Sequence, residues 1–189
     1  EVASVLQEFG FTSSTSTYNK IKTVYTYICG SVTYDYDTLY DDSYLLKYTA
    51  YAALMNGTAV CQGYAVLFYR FMQELDIPVR VITGENHAWN IVGLNGRYYN
   101  LDSTWDSNYG YNFNSYQYFM RCPNNFDDHE REAPYNTQAF EAQGRQYVPS
   151  VIDFLSLKVT ADFEPKIKNH HIAVEDIQDS VESVLIQAG

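Results

Sequence analysis

VRVITGENHAWNIVGLNGRYYNLDSTWD, residues 79–106, contains three apolar runs separated by turn signals. We expect these runs to be strands: Val79–Thr83, Ala88–Leu94 and Arg97–Leu101. Asn95-Gly96 lies between the second and third runs, and Asn-Gly is the strongest short-range signal for a hairpin. A two-residue loop places Leu94 opposite Arg97. The stretch therefore predicts an antiparallel hairpin whose register is set by its turn.

This register brings a histidine and an aspartate together. Counting back from the turn, Trp89 faces Asp102 and His87 faces Thr104. Side chains alternate faces along a strand, so His87, Trp89 and Asp102 share one face. His87 and Asp102 are then diagonal neighbours, roughly 7–8 Å apart at the backbone and within side-chain reach. Since a slip of one residue would move Asp102 to the other face, the turn chemistry itself predicts the pair.

A cysteine precedes the hairpin in the stretch GTAVCQGYA, residues 57–65. Apolar residues recur after it at helical spacing: Tyr64, Leu67, Phe68, Phe71, Met72 and Leu75. They predict a buried helix from about Cys61 to Leu75, with Thr58 as its N-cap. Cys61 then lies in the first turn, where unpaired N–H groups and the helix dipole stabilise a thiolate and can bind an oxyanion. A thiol, an imidazole and a carboxylate form the parts of a cysteine nucleophile, its base and the group that orients the base.

Three motifs in this order resemble the bacterial branch of the transglutaminase-like superfamily. They are AVCQGYA around Cys61, VRVITGENHAWNIV around His87 and GRYYNLDSTWD around Asp102. Weaker likeness extends the resemblance over roughly Tyr18 to His129, including Tyr118-Phe119 followed by Asp128-His129. The resemblance implies an α+β fold with a papain/transglutaminase-like core. In such a core N-terminal helices, one of them starting at the catalytic cysteine, pack on an antiparallel sheet that carries the histidine and the aspartate.

The resemblance also implies cysteine-dependent acyl transfer on peptide or protein amides through a thioester. Cys61 would be the nucleophile, His87 its base and Asp102 the orienting group. Water as second nucleophile would make a protease or amidase, and an amine would make a transglutaminase. The scheme needs no cofactor or metal. The alternative is a catalytically inactive module of the same fold that binds proteins or the cell wall.

Other residues near the motifs have two interpretations. We expect Trp89, Tyr64 and Tyr51 to contact substrate, although Trp89 could equally belong to the core, and Tyr51 is also a candidate oxyanion donor. Asp127–Glu130 (DDHE) contains metal-ligand residue types, but a solvated turn or a structural histidine explains it better than a metal site. Cys29 ends an amphipathic helix and suits core packing, and a Cys29–Cys122 disulfide is an open alternative in an oxidising compartment.

The chain divides into three expected segments. Residues 1–17 form an N-terminal helix and linker, residues 18–132 the catalytic core, and residues 133–189 an extension. The extension would carry a strand within Val151–Phe163 and an acidic amphipathic terminal helix. Within the core, Tyr44–Met55 is expected to be helical and Ser115–Arg121 to close the core as a helix or strand.

Composition restricts the partners. The net charge of −11 and a pI near 4.6 argue against binding to nucleic acid and to anionic membranes. No apolar run in the sequence is long enough to insert into a bilayer. The chain has 19 tyrosines, which suggest aromatic surfaces or grooves for a protein or peptide substrate. Few lysines together with many Tyr, Asn, Ser and Thr favour an exported protein, outside or on the surface of a bacterium, with cell-surface or cell-wall material as a candidate partner.

Overall fold

The computed structural model of the protein describes residues 1–107 and 116–137. The helices and strands of this part follow in the order α1 (Val2–Glu8), α2 (Thr17–Ser31), β1 (Thr33–Tyr34), β2 (Thr58–Ala59), α3 (Cys61–Glu74), β3 (Val79–Gly84), β4 (His87–Leu94), β5 (Arg97–Leu101) and α4 (Ser103–Asp106). Helices packed on an antiparallel sheet confirm the expected α+β class. Among the described helices, none has the length and apolar character needed to cross a membrane.

Helix α3 forms the centre of the core, as its apolar spacing predicts. Its inward side chains are fully buried: Tyr64, Leu67, Phe68, Phe71 and Met72. It packs against α2 on one side and against β3 and β4 on the other. The predicted N-cap is wrong. Val60 is the N-cap, without a side-chain hydrogen bond, because Thr58 belongs to β2 and pairs there in parallel with Thr33 of β1.

The sheet has the order β3-β4-β5, and all its neighbours are antiparallel. Leu94 pairs with Arg97 and Asn90 pairs with Leu101, which confirms the register deduced from the turn. Asn95 (φ 53°) and Gly96 (φ 74°) both adopt the left-handed region, as a two-residue hairpin turn with the right twist requires. His87 and Asp102 are consequently brought to one end of the hairpin.

Residues 116–132, the return segment, cross the sheet after α4 and attach to both of its edges. On the β5 side, Arg121 exchanges two backbone hydrogen bonds with Asn100, at 2.7 and 2.8 Å. On the β3 side, the Glu132 N–H donates to the Thr83 carbonyl at 3.0 Å. Ser115 lies outside the described residues, and residues 116–120 form turns and bends rather than the expected helix or strand. They nevertheless bury Phe119 and Met120 in the core, as expected of a closing element.

The region predicted as a helix over Tyr44–Met55 is broken into two short pieces. A 3-10 turn spans Leu45–Tyr48 and a π turn spans Ala52–Asn56. The break follows from Lys47, whose buried ammonium donates to three backbone carbonyls, those of Thr38, Leu39 and Asp41. Because the Lys47 side chain turns inward to hold this loop, it interrupts a regular helical face.

Several other expectations concern thiols or lie beyond the described residues. All three cysteines are free, and the buried Cys29 thiol donates to the Ser103 carbonyl, so this structure contains no Cys29–Cys122 disulfide. The strand within Val151–Phe163 and the terminal helix lie outside the described residues. The boundaries of the three segments stay predictions.

Candidate active site

The three residues singled out from the sequence start or follow regular elements that meet at one place. Cys61 is the first residue of α3, His87 is the first residue of β4, and Asp102 directly follows β5. His87 Nε2 lies 2.6 Å from Asp102 Oδ2, which confirms the predicted diagonal contact. Their catalytic roles stay predictions, but the hairpin puts base and carboxylate in direct hydrogen-bond contact.

Cys61 approaches the same imidazole. Nε2 of His87 is occupied by Asp102, which leaves Nδ1 for the thiol, and Cys61 lies close enough to contribute to the raised pKa of the ring. Burial disfavours a charge on His87, but the hydrogen bonds and negative charges of Asp102 and Cys61 outweigh burial and raise the pKa of His87 to about 10. The ring therefore favours the protonated form. Cys61 itself is partly exposed, so the sulfur is accessible to a reactant.

Asp102 is fully buried and accepts hydrogen bonds on both oxygens. Oδ1 accepts from the backbone N–H groups of Thr104 (2.8 Å) and Trp105 (3.2 Å), which makes Asp102 the N-cap of α4. Oδ2 faces His87 and also His129, at 3.0 Å. Burial alone would raise the pKa of Asp102, but the hydrogen bonds from His129 and His87 hold it below its usual value. The carboxylate is thus ionised and held from four directions.

The sequence did not place His129 in this site. Its side chain is only 1% exposed, which favours the structural histidine over the solvated turn for this residue, although the neighbouring Asp128 side chain is 46% exposed. His129 Nε2 faces Asp102 and Nδ1 lies 2.7 Å from Asp128 Oδ1. The signal that could have located it was the likeness of Asp128-His129 to the family, which carried no role by itself.

Aromatic rings enclose the two imidazoles. Trp105 stacks on His87 with ring centroids 5.1 Å apart, and Trp89 lies 6.0 Å from the same ring. Phe126 stacks on His129 at 3.8 Å. These rings restrict the orientation of both histidines and keep water away from the Asp102 carboxylate, which strengthens its hydrogen bonds.

The three residues expected to contact substrate differ in their burial. Tyr64 is fully buried and its hydroxyl donates to the Val32 carbonyl at 2.6 Å, so it is a core residue and the expectation is corrected. Trp89 is 2% exposed and lies behind His87, which favours the core alternative over a channel wall. Tyr51 is 60% exposed and remains available to a substrate, but within residues 1–107 and 116–137 it makes no hydrogen bond to the triad.

The start of α3 offers donors for an oxyanion. The Val60 N–H donates to the Lys47 carbonyl at 3.1 Å, and the Gly63 N–H donates to the Val60 carbonyl at 2.8 Å. In the described part of the chain, the N–H groups of Cys61 and Gln62 have no such backbone acceptor. They are the first-turn donors nearest to the thiol and are suited to a developing negative charge.

One group of side chains in the site could also be considered as a metal site. His87, Asp102 and His129 present ligand atoms within 4.8 Å of one another. However, Asp102 Oδ2 is 2.6 Å and 3.0 Å from the two nitrogens, closer than the roughly 3.3 Å between neighbouring ligands of a tetrahedral zinc ion with bonds of about 2.0–2.1 Å. The spacing fits hydrogen bonds better than coordination.

Comparisons with known proteins identify the family of the chain. The family model described as the transglutaminase-like superfamily matches residues 7–103, just over half of the chain and inclusive of all three residues. No curated protein sequence matches.

Among solved structures, a TGase is 20% identical over 54% of this chain and 29% of its own, with a TM-score of 0.45. A proposed cysteine protease from Cytophaga hutchinsonii is 22% identical over 55% of this chain and 36% of its own, also with a TM-score of 0.45. The chain thus spans well under half the length of either structure. On the strength of the family match, the chain belongs to the transglutaminase-like superfamily.

Proposed function

We propose that the protein catalyses cysteine-dependent acyl transfer from peptide or protein amides through a thioester on Cys61. The observation that carries this proposal is the hydrogen bond between His87 and Asp102 beside Cys61, whose side chain helps to raise the pKa of His87. A partly exposed thiol beside a histidine whose other nitrogen is held by a carboxylate is the arrangement of an activated nucleophile.

In the proposed reaction, the Cys61 thiolate attacks the amide carbonyl and the carbonyl oxygen becomes an oxyanion. The N–H groups of Cys61 and Gln62 would stabilise that oxyanion. The His87 imidazolium then donates its Nδ1 proton to the departing amine as the C–N bond breaks, which leaves a thioester and a neutral imidazole. His87 finally accepts a proton from water or a second amine as that nucleophile attacks the thioester and releases Cys61.

The loop before α3 supports a polypeptide substrate. It exposes several large apolar side chains: Tyr36, Tyr40, Leu45, Tyr51 and Met55. The loop is fixed to the start of α3 by the hydrogen bond from Val60 to Lys47. A methyl group on Gly63 would lie 2.9 Å from the Lys47 carbonyl oxygen, so the loop approaches the first turn of the catalytic helix closely. Exposed aromatic side chains beside a nucleophile suit an extended chain. A location outside the cell or on a bacterial surface is also part of this proposal and rests on composition alone.

Trapping of the acyl intermediate tests the proposal. The protein would be incubated with a mixed library of short amide-containing peptides, quenched with acid, digested and analysed by mass spectrometry for an acyl adduct on the Cys61 peptide. We expect an acyl adduct on Cys61 in the wild type. If an amine is the acceptor, an added alkyl amine should shorten the lifetime of this adduct. Cys61→Ala should abolish the adduct.

Cys122→Ser is the matched control, because serine keeps a donor to Asn125 Oδ1 and the variant leaves the site intact. Circular dichroism would establish that each variant is folded. Adducts that persist in Cys61→Ala, or a folded wild type that never forms one on any amide, would contradict the proposal, and the second result would favour the inactive binding module.

A further inference from the structure

We propose that His129 is a positioning residue of the active site, which donates a second hydrogen bond to Asp102 Oδ2 and thereby fixes the carboxylate that orients His87. This inference rests on the proposed function, since it assigns His129 a part in the same reaction. In the proposed reaction His129 does not contact the substrate, and its hydrogen bond to the triad is the one to Asp102.

The hydrogen bonds of His129 define its protonation in this arrangement. Nε2 lies 3.0 Å from Asp102 Oδ2, and Nδ1 lies 2.7 Å from Asp128 Oδ1. Asp128 is held in turn by the Tyr118 hydroxyl, which donates to its other oxygen at 2.7 Å. An ionised carboxylate only accepts, so the hydrogen bond to Asp102 requires His129 Nε2 to be the donor. Among the described residues, Asp102 and Asp128 are the acidic side chains that pair with His129.

Asp102 needs this second donor for geometric reasons. Its Oδ1 is held by two backbone N–H groups at the start of α4, and a carboxylate held at one oxygen can still pivot about that oxygen. Donors from both histidines to Oδ2 remove the pivot. The imidazole of His87 then has one orientation, with Nε2 toward Asp102, which leaves Nδ1 for Cys61. A reacting group misplaced by about 1 Å can cost roughly a hundredfold in rate, so this fixation matters for turnover.

The fold gives His129 a defined place. The return segment is bonded to β5 through Arg121 and to β3 through Glu132, on either side of His129 in sequence. Gly84 permits the second attachment, since a β-carbon there would lie only 2.1 Å from the Glu130 carbonyl oxygen. The Thr83 hydroxyl also donates to Glu132 at 2.6 Å. These contacts bring His129 over the face of the sheet that carries His87.

A packing role for the ring is the competing explanation, because Phe126 stacks on it at 3.8 Å and Trp105 lies at 4.2 Å. Two substitutions separate the two roles. His129→Gln keeps an N–H close to the position of Nε2 but loses the aromatic ring. His129→Phe keeps the ring and its stacking but removes the donor to Asp102.

The kinetic test compares kcat and KM for both variants. We expect kcat to fall by about tenfold to a hundredfold in His129→Phe, the usual effect of one hydrogen bond to a charged group, with KM unchanged. We expect His129→Gln to stay within about fivefold of the wild type. The reverse order, with His129→Phe active and His129→Gln impaired, would show a packing role and overturn the proposal.

Two further readouts do not depend on turnover. In ¹⁵N NMR spectra of the wild type at pH 7, Nε2 of His129 should carry a proton, and an unprotonated Nε2 would overturn the proposal whatever the variants do. If the wild type transfers no acyl group, the proposed function has failed, and iodoacetamide labelling of Cys61 then tests His129 separately. Labelling should be about tenfold slower in His129→Phe and near wild type in His129→Gln. Equal rates in all three proteins would reject the positioning role.

Discussion

Replacement of Asp102 by asparagine changes one atom of the site and has a defined structural consequence. Oδ1 accepts from the N–H groups of Thr104 and Trp105, so the amide oxygen of asparagine must take that place. The NH₂ group then replaces Oδ2 and faces Nε2 of His87. Two donors cannot form a hydrogen bond with each other, so His87 Nε2 must lose its proton and accept the hydrogen bond from the asparagine NH₂. The single proton of the neutral ring then lies on Nδ1, the nitrogen left for Cys61.

The opposite orientation of the asparagine is unfavourable. It would point NH₂ at two backbone donors and lose an N-cap, which typically costs about 0.5–2 kcal/mol. In the favourable orientation, the neutral His87 ring presents a proton to the thiol instead of a lone pair. The charged form of the ring also loses the carboxylate that, together with Cys61, raises the pKa of His87 from 6.5 to about 10. This net shift, in which burial opposes the two partners, corresponds to about 5 kcal/mol. We therefore expect kcat to fall roughly 10³–10⁴-fold, as in other triads whose carboxylate is replaced by an amide.

Single-turnover acyl transfer at pH 7 is the appropriate assay, because it isolates acylation from product release. Thermal unfolding monitored by circular dichroism should show that Asp102→Asn is folded, with some loss of stability since the ionised carboxylate stabilises the fold. Asp102→Ala is a useful companion, because it loses the N-cap as well and should be less stable than Asp102→Asn. An acylation rate of Asp102→Asn within threefold of the wild type would refute the reasoning about the tautomer.

Two other predictions concern stability and the return segment. Burial raises the pKa of Asp106 to about 6, above the value of 3.8 in the unfolded chain, so its contribution to stability is complete below about pH 3.8 and is lost as the pH rises through 6. In urea unfolding, the free energy of unfolding of Asp106→Asn should rise relative to that of the wild type by up to about 3 kcal/mol between pH 4 and pH 7. Parallel pH profiles of the two proteins would contradict this. Gly84→Ala should slow Cys61 labelling and lower the melting temperature, since the new methyl group must displace the return segment at Glu130. Gly93→Ala is its control, as that methyl group meets Pro78 at 2.9 Å instead, and it should lower the melting temperature without changing the labelling rate.

The sequence predicted the hairpin well because its register depends on local rules. Asn95 and Gly96 adopt the backbone that their turn requires, and strict alternation then places His87 and Asp102 on one face. The helix that starts at Cys61 was predictable for the same reason, since helical spacing of large apolar residues is a local signal. The core of the site is thus encoded within residues 57–106.

The parts that the sequence did not predict depend on contacts between distant segments. His129 reaches Asp102 because the return segment is attached at both edges of the sheet, and that segment has neither helical nor strand periodicity. Periodicity also indicates which side chains share a helix face but not what covers them, so Tyr64 was expected at the substrate and is instead buried against Val32. Thr58 matched the preferences of an N-cap, but pairing with Thr33 overrode that local preference.

The most direct test of the account is the rate of Cys61 alkylation by iodoacetamide at pH 6, compared between the wild type and His87→Ala and assigned by mass spectrometry. We expect Cys61 to be labelled far faster than Cys29 and Cys122, which are buried. Its rate should fall by at least tenfold in His87→Ala, because the positive charge that favours a thiolate is gone. Cys61 labelled equally fast without His87, or no faster than the buried thiols in the folded wild type, would contradict an activated nucleophile at this site.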